Sequence, residues 1–144
     1  MNVSESPLNP QLNNWPGLAR GLVAIGALLA GVSVAAGAFG THGLRNILEP
    51  SALMLWRTAV DYQMHHAIGI LILGLSAVVV PKERQGPLRR AAAALLLGLA
   101  AFCGSLYALA LGAPRALGLL TPVGGGLLVL GWLLWAHAVF RRRI

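Results

Sequence analysis

Arg57, Asp61 and His65 recur at every fourth residue inside an otherwise apolar stretch, with Tyr62 and His66 each one position further on. On a helix, residues four apart share a face. A guanidinium, a carboxylate and an imidazole would then stand one above the next, with a phenol and a second imidazole on the adjacent stripe. Such a set can form an ion pair, receive an anion or, through Asp61 and His65, share a metal ion or a proton. Residues 53–81 as a whole are apolar enough to cross a bilayer. A charge near the centre of a spanning helix costs about 3 kcal/mol on insertion scales, so such residues normally face protein or water. The stripe is therefore expected to face inward, with Arg57 paired to Asp61, and other helices must cover it.

Those helices are visible in the composition. Of 144 residues, 57% are hydrophobic and 10% charged, where a soluble domain carries about 25% charged residues; the mean hydropathy is +0.73. Four apolar runs, about 16–39, 53–80, 90–111 and 121–140, each reach the ~20 residues a spanning helix needs. They predict an all-α integral membrane four-helix bundle, one domain over residues 15–144, behind a polar tail at 1–14 that offers no periodic apolar face. Residues 33–38 contain a small-residue pattern that signal peptidase accepts. The apolar run around it is too long for a signal core and its leading flank is not basic, so it reads as a retained span. The single cysteine, Cys103, excludes an intrachain disulfide and a cysteine-based zinc site and reads as core filling. The net charge of +7 sits at the ends of the apolar runs without a basic face or recognition motif. Nucleic acid is thus not expected as a partner, and membrane lipids are.

Local patterns refine this frame. Gly17 with Gly21, Ala27 with Gly31 and Ser33 with Gly37 are small-residue pairs that let helices approach closely in lipid. Residues 40–51 break the first helix at Gly40 and Gly43, giving a surface loop or short interfacial helix, and residues 82–90 form a tight basic turn. Thr121 suits an N-cap and Pro122 the first helical position. Trp15, Trp132, Trp135 and His137 are placed at interfaces. Gly124–Gly126 lacks the strand and the Gly-Lys-Ser/Thr of a phosphate loop and instead invites a neighbouring helix. Eight of the eleven Lys and Arg fall on one side of a four-span layout, against Arg45, Arg57 and Arg115 on the other. The positive-inside rule then puts both termini in the cytoplasm, with the protein in the cell (inner) membrane.

In that layout His42, Arg57, Asp61, Tyr62, His65, His66, Ser105, Tyr107 and Thr121 fall in the outer half of the bundle. Several readings stay open. These residues can satisfy one another and hold four helices in register, as a structural or accessory membrane component requires. Arg57, His65, Tyr107 and the amides after Thr121 can receive an anionic lipid headgroup or small anion at a helix N-terminus. His42, Asp61 and His65 are metal or proton candidates, without an HExxH or comparable motif behind them. No nucleophile–base pair marks an enzyme, and no cofactor is expected. A membrane-protein partner or a second copy of the chain is left open.

Four blocks carry a resemblance: residues 37–44 (Gly-Ala-Phe-Gly-Thr-His-Gly-Leu), residues 56–67 (Trp-Arg-Thr-Ala-Val-Asp-Tyr-Gln-Met-His-His-Ala), residues 104–107 (Gly-Ser-Leu-Tyr) and residues 121–125 (Thr-Pro-Val-Gly-Gly). In this order the chain resembles the domain-of-unknown-function 423 family, small four-span membrane proteins of bacteria with mitochondrial relatives. The resemblance implies the fold and the membrane location; it supplies no activity. The family often has Ala where Thr41 stands and Gln or another polar residue where Asp61 stands.

Overall fold

The computed structural model describes residues 15–140, so the tail at 1–14 and the terminal arginines lie outside the described residues. Four long helices follow one another: α1 (Gly17–Phe39), α2 (Pro50–Val79), α3 (Gln85–Ala110) and α4 (Leu120–Phe140), with no strand among the described residues. All four are long and apolar enough to span a membrane. The protein is an all-α integral membrane protein.

Helix ends depart from expectation in three places. Gly40 does not break the first helix; α1 widens into a π-helical turn over Gly40–Leu44. Glycine is required there because the Trp56 indole lies where a side chain would begin, 2.7 Å from an added Cβ. The basic run is only partly a turn: after a 3₁₀ turn at Lys82–Arg84, α3 starts at Gln85 and takes Pro87 into its first turn, where the missing amide hydrogen costs nothing. Gln85 itself is buried and donates from Nε2 to the carbonyls of Ala77 (3.1 Å) and Val80 (3.2 Å), satisfying acceptors at the end of α2. Thr121 is not an N-cap, since a 3₁₀ turn at Arg115–Leu119 runs directly into α4.

Successive helices pack as neighbours, α1 on α2, α2 on α3 and α3 on α4, while α1 and α4 do not pack on one another. The most apolar window of α2 and of α3 is 44% buried, against 17% for α1 and α4, so the first pair forms the centre and the second the flanks. Ile70 and Leu73 of α2 and Leu88 and Leu95 of α3 are fully buried in one hydrophobic cluster. The hairpins on either side are drawn tight by glycine. A Cβ on Gly26 would stand 2.7 Å from the Leu71 amide nitrogen, and one on Gly98 2.8 Å from that of Leu128. Of the expected contact pairs on α1, Ser33 with Gly37 does meet α2 at Val60, whereas Gly17, Gly21 and Gly31 meet nothing among the described residues.

This zigzag leaves a cleft on each face. Between α2 and α4 the cleft is filled by rings, Trp132 lying over Gly69. Between α1 and α3 it stays open. The two ends of the molecule are called below the loop end, with residues 40–49 and 111–119, and the basic end, with Lys82–Arg84.

Candidate functional site

α2 carries most of the polar residues, and its two neighbours decide what each one meets. Trp56, Ala59, Gln63, His66 and Ile70 are buried, whereas Arg57, Asp61 and His65 are exposed. The inward-facing stripe expected at Arg57 is thus the face that protein leaves uncovered. Arg57 and Asp61 form no ion pair; both open onto a cavity of about 170 Å³ between α1 and α2, with Gly37, Gly40, Thr41 and Trp56. The physical reason is reach. A helix of 30 residues is about 45 Å long against a hydrocarbon core of about 30 Å, so the first turns of α2 extend toward the headgroups, where a guanidinium is solvated.

The expected residues sort into separate groups. At the loop end Thr41 donates to the Gly37 carbonyl (2.6 Å) and Trp56 Nε1 to that of Ala36 (2.9 Å). His42 is exposed in the π-helical turn. His65 donates from Nδ1 to the Asp61 main-chain carbonyl (2.6 Å), and His66 likewise to that of Tyr62 (2.7 Å), which leaves each Nε2 as the acceptor nitrogen. On the α3–α4 side, Ser105 donates to the Phe102 carbonyl (2.9 Å) and Thr121 to Ser105 Oγ (2.8 Å), because a hydroxyl has one hydrogen to give. Between α2 and α4, Phe102, Tyr62, His66, Trp132 and Trp135 form a file of rings with centroid separations from 4.5 to 6.0 Å.

The group that joins three helices was missed in the sequence. Gln63, 6% exposed, accepts from the Tyr107 hydroxyl at Oε1 (3.0 Å) and donates from Nε2 to the Leu29 carbonyl of α1 (3.0 Å). Beside it Ser33 donates to the Val60 carbonyl (2.8 Å) and the Cys103 thiol to that of Ala59 (3.3 Å). Of these, Tyr107 is among the polar candidates of the sequence, Ser33 is read there only as a small contact residue with Gly37 and Cys103 as core filling, and Gln63 is not singled out. The available signal was the stripe Trp56, Ala59, Gln63, Ala67, Ile70, in which the residues flanking Gln63 are small or apolar.

Arg57, His65, Tyr107 and Thr121 do not share one cavity: Arg57 belongs to the α1–α2 side, Tyr107 to the centre and Thr121 to α3–α4. The helix N-terminus expected after Thr121 is occupied by the preceding 3₁₀ turn. Among the described residues no three of His, Cys, Asp and Glu gather in metal-binding geometry, so His42, Asp61 and His65 stay apart.

The fold and the chemistry together define a small four-span membrane protein whose polar side chains are largely turned to its own backbone. Residues 36–125 match the family described as "Protein of unknown function (DUF423)", and the chain belongs to that family. It is 40% identical over 119 residues to the UPF0382 membrane protein SH2409 of Staphylococcus haemolyticus, covering 83% of this chain and 94% of that one. It is 41% identical over 110 residues to a UPF0382 membrane protein of Haemophilus influenzae, 76% of this chain and 86% of that one. With the UPF0382 membrane protein YwdK of Bacillus subtilis it shares 33% identity over 112 residues, 78% and 89% of the two chains. No solved structure matches the chain.

Proposed function

We propose that the protein is a structural or accessory component of the cell (inner) membrane, with both termini cytoplasmic, and that its polar cluster sets the register of the helices. The observation that carries this reading is where the cross-helix hydrogen bonds end. Ser33, Trp56, Gln63 and Cys103 each donate to a main-chain carbonyl of a neighbouring helix. A bond of this kind averages about 0.6 kcal/mol in a membrane protein. Its gain is geometric: lipid tails are as apolar as leucine side chains, and packing alone gives helices in lipid little to fix their sliding position. The flanks α1 and α4 would face lipid, a membrane-protein partner or a second copy. Residue-pair cross-linking across α1–α2 in native membranes tests the register. A Ser33→Ala/Gln63→Leu variant should cross-link at additional, shifted positions, and an unchanged pattern would remove the reading.

Arg57 favours a second reading, capture of an anionic lipid headgroup, because it is exposed on the small α1–α2 cavity and pairs with no carboxylate among the described residues. Asp61 on the same cavity opposes it. Arg57→Gln should then lower the anionic lipid that co-purifies with the protein in native mass spectrometry; equal lipid content in the two proteins would discard the headgroup.

A further inference from the structure

The open cleft between α1 and α3 differs from its filled counterpart in one chemical respect: a buried amide forms its floor. The cleft has a volume of about 380 Å³, inside the ~300–1,000 Å³ usual for small-molecule sites. Leu29, Leu96 and Leu99 wall it, and Ala100 and Gly104 leave its α3 rim low. Gln63 faces it from α2 and Tyr107 stands at its edge. A primary amide has two N–H groups, and among the described residues Gln63 Nε2 gives one to the Leu29 carbonyl and none to a second acceptor. Gln63 is residue 14 of the 30 in α2, so the unspent donor lies near the middle of the span.

Its depth and lining select the occupant. No water is available in the hydrocarbon core to accept that hydrogen, and an unsatisfied group there costs several kcal/mol. Phospholipid headgroups and ester carbonyls sit about 15 Å away, at the edge of a ~30 Å core. Among the described residues no charged one lines the cleft, so an ionised ligand would go uncompensated. What remains is an uncharged molecule that dissolves in hydrocarbon and carries a carbonyl to mid-depth. We propose that the α1–α3 cleft binds a quinone-type isoprenoid lipid, its ring between Leu29 and Leu99 and one ring carbonyl accepting the second Gln63 Nε2–H. The Tyr107 hydroxyl, by donating to Gln63 Oε1, fixes the amide orientation in which Nε2 lies on the side of Leu29, a residue of the cleft wall. The isoprenoid tail leaves over Ala100 and Gly104 into the bilayer. This site goes beyond a register-setting network, which uses only one of the two amide hydrogens.

The full-length protein in lipid nanodiscs, titrated with decyl-ubiquinone, tests the site through tryptophan fluorescence. Trp56 packs against Tyr107 at a ring separation of 4.7 Å and reports a quencher at the cleft edge. Saturable quenching is expected in the wild type and not in Gly104→Leu, where an added Cβ meets nothing within 4 Å and the new side chain fills the cleft without disturbing the fold. Gln63→Met, similar in length and without a donor, should bind roughly tenfold more weakly, the worth of one hydrogen bond. Circular dichroism and thermal unfolding check that each variant is folded; should Gly104→Leu fail, Ala100→Leu fills the same rim. Wild-type quenching that does not saturate overturns the proposal. So does unchanged affinity in the cleft-filling variants or in Gln63→Met, or equal competition by a decyl chain without the ring, which would mark a groove for acyl chains alone.

Discussion

Arg57 and Gln63 stand on one helix six residues apart, and the difference between them is what lies opposite. Gln63 faces α1 and α3 together and its amide is bonded on both sides, at Oε1 and Nε2. Arg57 is exposed and opens with Asp61 onto the α1–α2 cavity, which brings the two charges together without pairing them. Independent groups add, and bonded groups couple. In reversible unfolding in detergent, the Arg57→Gln/Asp61→Asn cycle should therefore show a coupling below about 0.5 kcal/mol. Gln63→Leu/Tyr107→Phe should show about 0.6 and up to about 1.7 kcal/mol, the span found for interhelical bonds in membranes. Coupling above 1 kcal/mol between Arg57 and Asp61 would restore the ion pair that the sequence suggested. That pair was a reasonable inference from spacing, since residues 57, 61 and 65 do share a face. Which face protein covers was not legible, because the apolar residues of α2 run all the way round and the usual contrast of a buried and a solvated side is absent in lipid. Tyr107 and the Ser105–Thr121 contact were recognisable as polar groups at one end of their helices; Gln63 was hidden among residues with stronger chemistry.

At the level of the helix, glycine is informative only where another backbone lies across from it. Gly26 and Gly98 meet the backbone of the neighbouring helix at distances no Cβ tolerates, while Gly17 and Gly21, which spell the better-known motif, meet nothing among the described residues. A small-xxx-small spacing permits close approach and says nothing about which face has a partner. Gly26→Ala and Gly98→Ala should force their hairpins apart and lower the unfolding temperature in detergent. Gly21→Ala should leave it unchanged or raise it, since alanine in a helix interior is favoured over glycine by up to about 1 kcal/mol, and Gly17→Ala, at the first helical position, should leave it unchanged. The reverse order would mean that α1 packs through its other face. The number and order of spans were legible because hydrocarbon thickness sets a minimum apolar length. Their ends were not: α3 begins at Gln85 rather than near residue 90, because the polar residues that read as turn are accommodated in its first turn, with Gln85 closing the end of α2.

For the whole molecule the remaining asymmetry is electrostatic. The described helices place Arg20, Lys82, Arg89 and Arg90 at the basic end and Arg45, Arg57 and Arg115 at the loop end. Basic residues flanking a span resist translocation, so the basic end belongs in the cytoplasm under the proposed orientation. Position 85 is a poor reporter because Gln85 is buried, whereas Glu83 and Ile47 are exposed at opposite ends. The background for labelling is Cys103→Ser, in which a hydroxyl retains the donor to the Ala59 carbonyl and no native thiol competes. On it, Ile47→Cys should react with a membrane-impermeant maleimide in intact cells, freed from the outer barrier where one is present. Glu83→Cys should react only after the membrane is opened. Both ends carry one test position, so the two variants control for each other's expression and insertion. Labelling of Glu83→Cys in intact cells with protection of Ile47→Cys would invert the protein, place its termini outside, and turn the Arg57 cavity toward the cytoplasm.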